Sequence, residues 1–329
     1  MKLPPIKIKL DFLQKPLDFF TGLAVKMFGG KKTDLTTTLE IHHAAANNDL
    51  KKLKIILSLS NPCFDMPDEK GDTPLFYAAK AGHVDTISFL LNQQVSINHS
   101  NIFGKTAIFY AAENSQLEVI DLLVKNGAVL DKTDENQQGI LHATLLAEQH
   151  AALVFLLEYG TIAVNLRDKF GQTPLILACD KQLSSSAKLL ISKGAEIDIA
   201  DNDGWTALMY CAKRGNSELM ATLIGSNANI HAHDLQFQQT SYLIACRNGQ
   251  FPIMEMLLKN KANPLDRDYY DRTALHIAVE INKLDMVNFV LTTTVDRSLK
   301  DRFGLTAHDW AVVNASADVL KAIRDHKES

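Results

Sequence analysis

The chain has 329 residues and a formal net charge of −4, from 34 Lys+Arg against 38 Asp+Glu, with 46% hydrophobic and 22% charged residues. This balance excludes disordered, collagen-like and mucin-like chains, and it argues against a protein that grips phosphate backbones, so nucleic acid is not an expected partner. Four cysteines cannot frame a disulfide scaffold in a chain this long and show no paired metal spacing, which suits a reducing compartment, the cytoplasm being the expected one; no apolar run approaches the ~18 residues of a membrane-spanning helix.

Residues 1–33 carry seven lysines against two aspartates and are the one distinctly basic stretch. Asp11, Lys15, Asp18 and Lys26 interrupt every apolar centre, so a cleaved signal peptide is not expected. Within residues 17–28, Phe19, Phe20, Leu23, Ala24, Met27 and Phe28 recur at helical spacing, Asp18, Gly22 and Lys26 fall opposite, and Gly29-Gly30 supplies a stop. One amphipathic helix is predicted. Three roles stay open for it: a hydrophobic cap over the unit that follows, peripheral attachment to an anionic membrane surface, or a docking peptide for a partner.

From residue 34 to residue 329 the chain repeats. The run Asp68-Glu-Lys-Gly71-Asp-Thr73-Pro74-Leu75 returns as Asp168-Lys-Phe-Gly171-Gln-Thr173-Pro174-Leu175 and as Asp201-Asn-Asp-Gly204-Trp-Thr206-Ala207-Leu208. With the threonine as position zero, equivalent positions are Leu39, Thr73, Thr106, Gly139, Thr173, Thr206, Thr240, Thr273 and Thr306, at intervals of 33 or 34 residues. Columns that were not used to set this frame test it. Positions +14 and +17 are apolar in all nine units, from Leu53 and Ile56 to Leu320 and Ile323. Eighteen matches at 46% apolar composition have chance odds on the order of one in a million. Position +5 is Ala or Cys in every unit but the fourth, where it is Thr144.

Each unit then reads as two short helices and a hairpin-like loop. The threonine hydroxyl at zero is expected to cap a first helix whose +5/+6 positions let a neighbour approach closely, with Pro or Ala suited to its first turn. Gly82, Gly215 and Gly249, or Asn48 and Asn282, permit a left-handed stop at +9. A second helix carries +14, +17 and +18, and turn formers lead to an Asp near −5 and, in five units, a Gly at −2. Such a unit cannot bury its stripes alone, so the units must stack into one elongated all-α solenoid. In the ninth unit +18 becomes Arg324 and +2 becomes His308, which reads as a polar terminal cap and, at this stage, as an array that ends here with no further domain.

The pattern resembles the ankyrin repeat in its period and in its T-P-L-H-x-A signature. About nine units match; Gly139, Thr144-Leu145, Ser115, Glu148 and Gln182 depart from the pattern, so the resemblance fixes the family more firmly than the local geometry of units three to five. The resemblance implies that His42, His142 and His276 at +3 make structural hydrogen bonds between repeats rather than catalyse. It also implies a rigid scaffold that binds one or more partner proteins, with no cofactor, no metal and no enzymatic activity, as a monomer. Contacts in such proteins fall on hairpin tips and first helices. The corresponding candidates are the aromatics Phe103, Phe170, Phe237, Tyr270 and Phe303 at −3, Trp205 at −1, and the basic side chains Lys213, Arg214 and Arg247 at +7 and +8. The aromatics have a second reading, as rings that pack over the neighbouring hairpin. Cys179, Cys211 and Cys246 occupy the small-residue slots and are expected to be buried. His231-Ala-His233-Asp234 has too few ligands for a metal site and reads as a polar hairpin tip. Two further readings of the whole chain are a membrane-surface adaptor held by residues 17–28, and a bacterial effector secreted into a host cell, since stand-alone proteins of this kind are similar to many effectors.

Overall fold

The computed structural model describes residues 35–60, 63–160, 162–293 and 295–325. The basic segment and its amphipathic stretch 17–28 lie outside the described residues. Eighteen helices follow in nine pairs. They are α1 Leu35–Ala46 with α2 Leu50–Ser60, α3 Pro74–Ala81 with α4 Val84–Asn92, and α5 Ala107–Glu113 with α6 Leu117–Lys125. The middle units hold α7 Ile140–Leu146 with α8 His150–Leu157, α9 Pro174–Asp180 with α10 Ser184–Ser192, and α11 Ala207–Arg214 with α12 Ser217–Gly225. The last three hold α13 Ser241–Arg247 with α14 Phe251–Lys259, α15 Ala274–Glu280 with α16 Leu284–Leu291, and α17 Ala307–Asn314 with α18 Ala317–Asp325. First helices pack on first helices and second on second, as stacked units require. Among the described residues extended pairing is confined to single antiparallel bridges across hairpins, Ala200 with Thr206, His233 with Thr240 and Lys300 with Thr306.

The threonine frame marks helix starts in units two to nine, where each position-zero residue has extended backbone. The capping mechanism is less uniform than expected. The hydroxyls of Thr173, Thr206 and Thr306 accept the N–H three residues on, at 3.2–3.4 Å, but those of Thr73, Thr106 and Thr240 are buried without a partner. In units two and three a tighter i→i+3 turn takes that donor instead, since the N–H of Phe76 and of Phe109 bonds the threonine carbonyl at 2.9 and 3.0 Å. In the first unit position zero, Leu39, lies inside α1, which at 12 residues starts four residues before that position.

Units three to five do not deviate at the helix turn. Ser115, Glu148 and Gln182 hold φ of 53°, 58° and 60°, the same left-handed backbone that Gly82 holds at 80°. Stacking imposes one turn geometry on every unit from one to eight, whether or not a glycine is there to adopt it without strain. The core is one continuous seam. The +5/+6 residues of first helices, from Ala44-Ala45 to Ala278-Val279, are fully enclosed, and so are +14 and +17 of second helices in units two to eight. Thr144 is accommodated because its hydroxyl returns to the Leu141 carbonyl at 2.8 Å, leaving only its methyl group to pack. The ninth unit corrects the expectation of a polar cap: Arg324 is exposed, but so are Val312 and Val313 on α17, the latter at 77%.

Candidate functional site

Each hairpin is organised by one carboxylate or amide. Oδ1 of Asp68, Asn101, Asp134, Asp168, Asp201, Asp268 and Asp301 accepts the backbone N–H groups two and four residues on, at 2.8–3.0 Å. Asp234 does the same across a hairpin longer by one residue, accepting from Gln236, Phe237 and Gln239. The second oxygen reaches the first helix: Tyr77 and Tyr210 hydroxyls and the Trp310 indole N–H donate to Asp68, Asp201 and Asp301 at 2.6, 2.8 and 2.9 Å. Burial alone would raise the Asp301 carboxyl, yet the N–H groups of Leu305, Phe303 and Trp310 hold it below its ordinary value of 3.8. Successive tips are then tied together by backbone bonds, Asn202 N–H to the Phe170 carbonyl, Leu235 to Asp203, Tyr269 to Phe237 and Arg302 to Tyr270, at 2.7–3.0 Å. Rings at −3 therefore ride on a hydrogen-bonded ladder that fixes their spacing.

The structure divides the nine candidate residues. A groove of about 600 Å³ opens on the hairpin and first-helix side of units six to nine. Trp205, Phe237, Tyr270, Phe303, Lys213 and Arg247 line it. Phe103, Phe170 and Arg214 do not. Arg214 is engaged by Asp180 of the preceding unit at 2.8 Å. Phe103 and Phe170 stand on hairpins further toward the N-terminus, Phe170 57% exposed beside Lys169. The aromatic row is accordingly mixed: Phe303 is 68% exposed, whereas Trp205 and Tyr270 are half-buried against the Tyr210 and Tyr269 rings at 5.3 Å.

Six further lining residues were not among the sequence candidates: Gln239, Ile244, Asn248, Arg272, Glu280 and Trp310. Four of them occupy the very columns singled out, −1 for Gln239 and Arg272, +7 for Glu280 and +8 for Asn248, so the signal was present in the frame. Trp310 and Ile244 come from +4, the column that also supplies Tyr77 and Tyr210. The polar residues form a chain along the wall. Arg272 forks onto Asp268 at 2.7 and 2.9 Å and donates to Glu280 at 2.9 Å, and Glu280 also meets Arg247 at 3.3 Å. Burial alone would lower the Arg272 guanidinium; Asp268 and Glu280 overcome it and raise it above its ordinary value. With its amide oriented to suit its neighbours, Gln239 accepts from Arg247 at 3.2 Å.

The groups that resemble catalytic or metal chemistry are committed to structure. His142 and His276 reach the next hairpin, their Nε2 atoms donating to the Gln172 and Leu305 carbonyls at 3.1 and 3.2 Å, while Nδ1 accepts from the backbone N–H of position zero. His42 likewise reaches the Asp72 carbonyl at 3.0 Å. Cys179, Cys211 and Cys246 are fully buried, and burial pushes the Cys246 thiol up to about 12. Asp234 is spent on its own loop, so the His231–Asp234 run is a hairpin tip.

The family profile described as "Ankyrin repeats (3 copies)" matches residues 41–136, 140–234, 210–301 and 242–329. The chain belongs to the ankyrin repeat family. Among its relatives is the human "Transient receptor potential cation channel subfamily A member 1", 24% identical over 369 residues that cover 86% of this chain and 32% of the channel. An "L-asparaginase" of Dirofilaria immitis is 28% identical over 248 residues, 71% of this chain and 42% of that protein. The "Probable 26S proteasome regulatory subunit p28" of Saccharomyces cerevisiae is 32% identical over 143 residues, 43% of this chain and 63% of the subunit. The chain spans less than two thirds of the length of each of these relatives. Ankyrin repeats are typically protein-binding modules, usually without catalysis, and no helix among the described residues is long and apolar enough to cross a membrane.

Proposed function

We propose that this ankyrin repeat chain is a non-catalytic interaction scaffold, capturing a partner protein on the concave side of the array with the groove of units six to nine as its main contact. The observation that carries this reading is the groove itself: five aromatic rings from four consecutive units converge there beside Lys213, Arg247 and Arg272. Aromatic and arginine side chains in a partly desolvated depression are the residue types that dominate protein–protein affinity. The channel, proteasome-subunit and asparaginase relatives differ in what their names describe and share the repeat, which supports the repeat as a binding module rather than a source of one activity. The Cys179 and Cys246 thiols, held above their ordinary value inside the stack, and the hairpin-bound histidines support a non-catalytic role, and four free cysteines suit the cytoplasm. The test is proximity labelling in the native cell with the full chain and with a Trp205→Ala/Phe237→Ala/Phe303→Ala variant. A labelled set that depends on the three rings supports the reading; an unchanged set overturns the groove as the main contact.

A further inference from the structure

We propose that the groove of units six to nine receives an extended, acidic segment of the partner protein with apolar or aromatic side chains at about every third residue. This rests on the scaffold reading and specifies its ligand. Three cations and one carboxylate, Glu280, line the groove, in a chain whose overall formal charge is −4. Counted over the lining alone, the sign is opposite to that of the molecule. Glu280 is shared between Arg247 and Arg272, and the Asp268 and Asp301 carboxylates beneath are consumed by Arg272, by backbone N–H groups and by Trp310. Among the described residues Lys213 has no carboxylate within 4.0 Å. Its ammonium sits 5.3 Å from the centre of the Trp205 ring, held over the groove where an incoming carboxylate can meet it.

The same geometry sets the register. Packed helices stand about 8–10 Å apart and an extended chain rises about 3.3 Å per residue, so a ligand crossing one unit advances roughly three residues. Rings at Trp205, Phe237, Tyr270 and Phe303 recur once per unit and set the spacing at which apolar side chains of such a segment would pack beside them. A cationic ligand is the competing occupant, because aromatic rings attract cations. Here that role is already taken: Lys213 covers Trp205, and the Arg272 guanidinium lies 5.0 Å from the Tyr270 ring centre. A further positive group would meet those cations at close range.

The inference is tested by fluorescence-polarisation titration of the full chain with three labelled peptides, each a triplet repeated three times: Leu-Glu-Glu, Leu-Gln-Gln and Leu-Lys-Lys. The acidic peptide is expected to bind at least about tenfold more tightly than the neutral one, more weakly as salt is raised, and about five- to tenfold more weakly to a Lys213→Glu variant. The Lys213 side chain is exposed and, among the described residues, makes no hydrogen bond, so this variant is expected to keep the fold, and an unchanged melting temperature verifies it. Equal or tighter binding of the Leu-Lys-Lys peptide, or acidic-peptide binding indifferent to Lys213→Glu, overturns the inference. The labelling experiment above stays independent: a labelled set that still requires the three rings, with no acidic preference in the titration, sinks the ligand chemistry and leaves the scaffold reading standing.

Discussion

At the scale of single residues the array tolerates side chains that its backbone disfavours. Ser115 and Gln182 sit at left-handed φ because the stack dictates the turn, and a β-carbon there costs roughly 1–2 kcal/mol, part of which glycine returns as unfolded-state entropy. Ser115→Gly and Gln182→Gly should each raise stability by about 0.5–1 kcal/mol in urea denaturation. Gly204→Ala should do the reverse, since at φ +82° its new methyl would lie 2.7 Å from the Leu235 nitrogen of the next hairpin. The buried histidines make a pH prediction. Burial lowers the pKa of His142 and His276 below 6.5, so the unfolded chain takes up protons that the folded chain refuses. Their contribution is fully present above about pH 6.5 and declines as pH falls below it, and urea midpoints at about pH 7.5 and 5.5 should show that loss. The cysteine burial was legible in sequence because it follows from column position, and the inter-repeat histidine bonds because the family resemblance implies them at +3. The unpartnered hydroxyls of Thr73, Thr106 and Thr240 were not; at Thr73 and Thr106 the carbonyl takes the N–H three residues on, and no residue type marks that choice.

At the scale of the element, the hairpin is a carboxylate-centred device rather than a generic turn. Asp201 gathers two backbone N–H groups and the Tyr210 hydroxyl, and burial together with that bond raises the tyrosine above its ordinary value. Asp201→Ala should cost about 2–3 kcal/mol by stranding these donors, and Tyr210→Phe about 0.5–1.5 kcal/mol, both read from urea midpoints. Helix pairs, their number and their buried faces could be read from the 33–34-residue frame, since periodic burial is what the frame measures. The ends were less legible. Position zero of the first unit lies inside α1, and the +6 and +7 positions of the ninth, Val312 and Val313, are exposed.

At the scale of the molecule, stacking turns single columns into a surface. The −3, −1, +4, +7 and +8 positions of four units form one groove, although in sequence its lining spans Trp205 to Trp310. Naming aromatics at −3 found part of it, but Phe103 and Phe170 share that column and stand outside, because a groove depends on what neighbouring units place opposite each ring. The measurement that bears most directly on the account is the labelled partner set of the full chain in its native cell, compared between Trp205→Ala/Phe237→Ala/Phe303→Ala and Phe103→Ala/Phe170→Ala variants of matched melting temperature. The account predicts that the first variant loses the partners and the second keeps them; partners that survive the first and vanish with the second would contradict it.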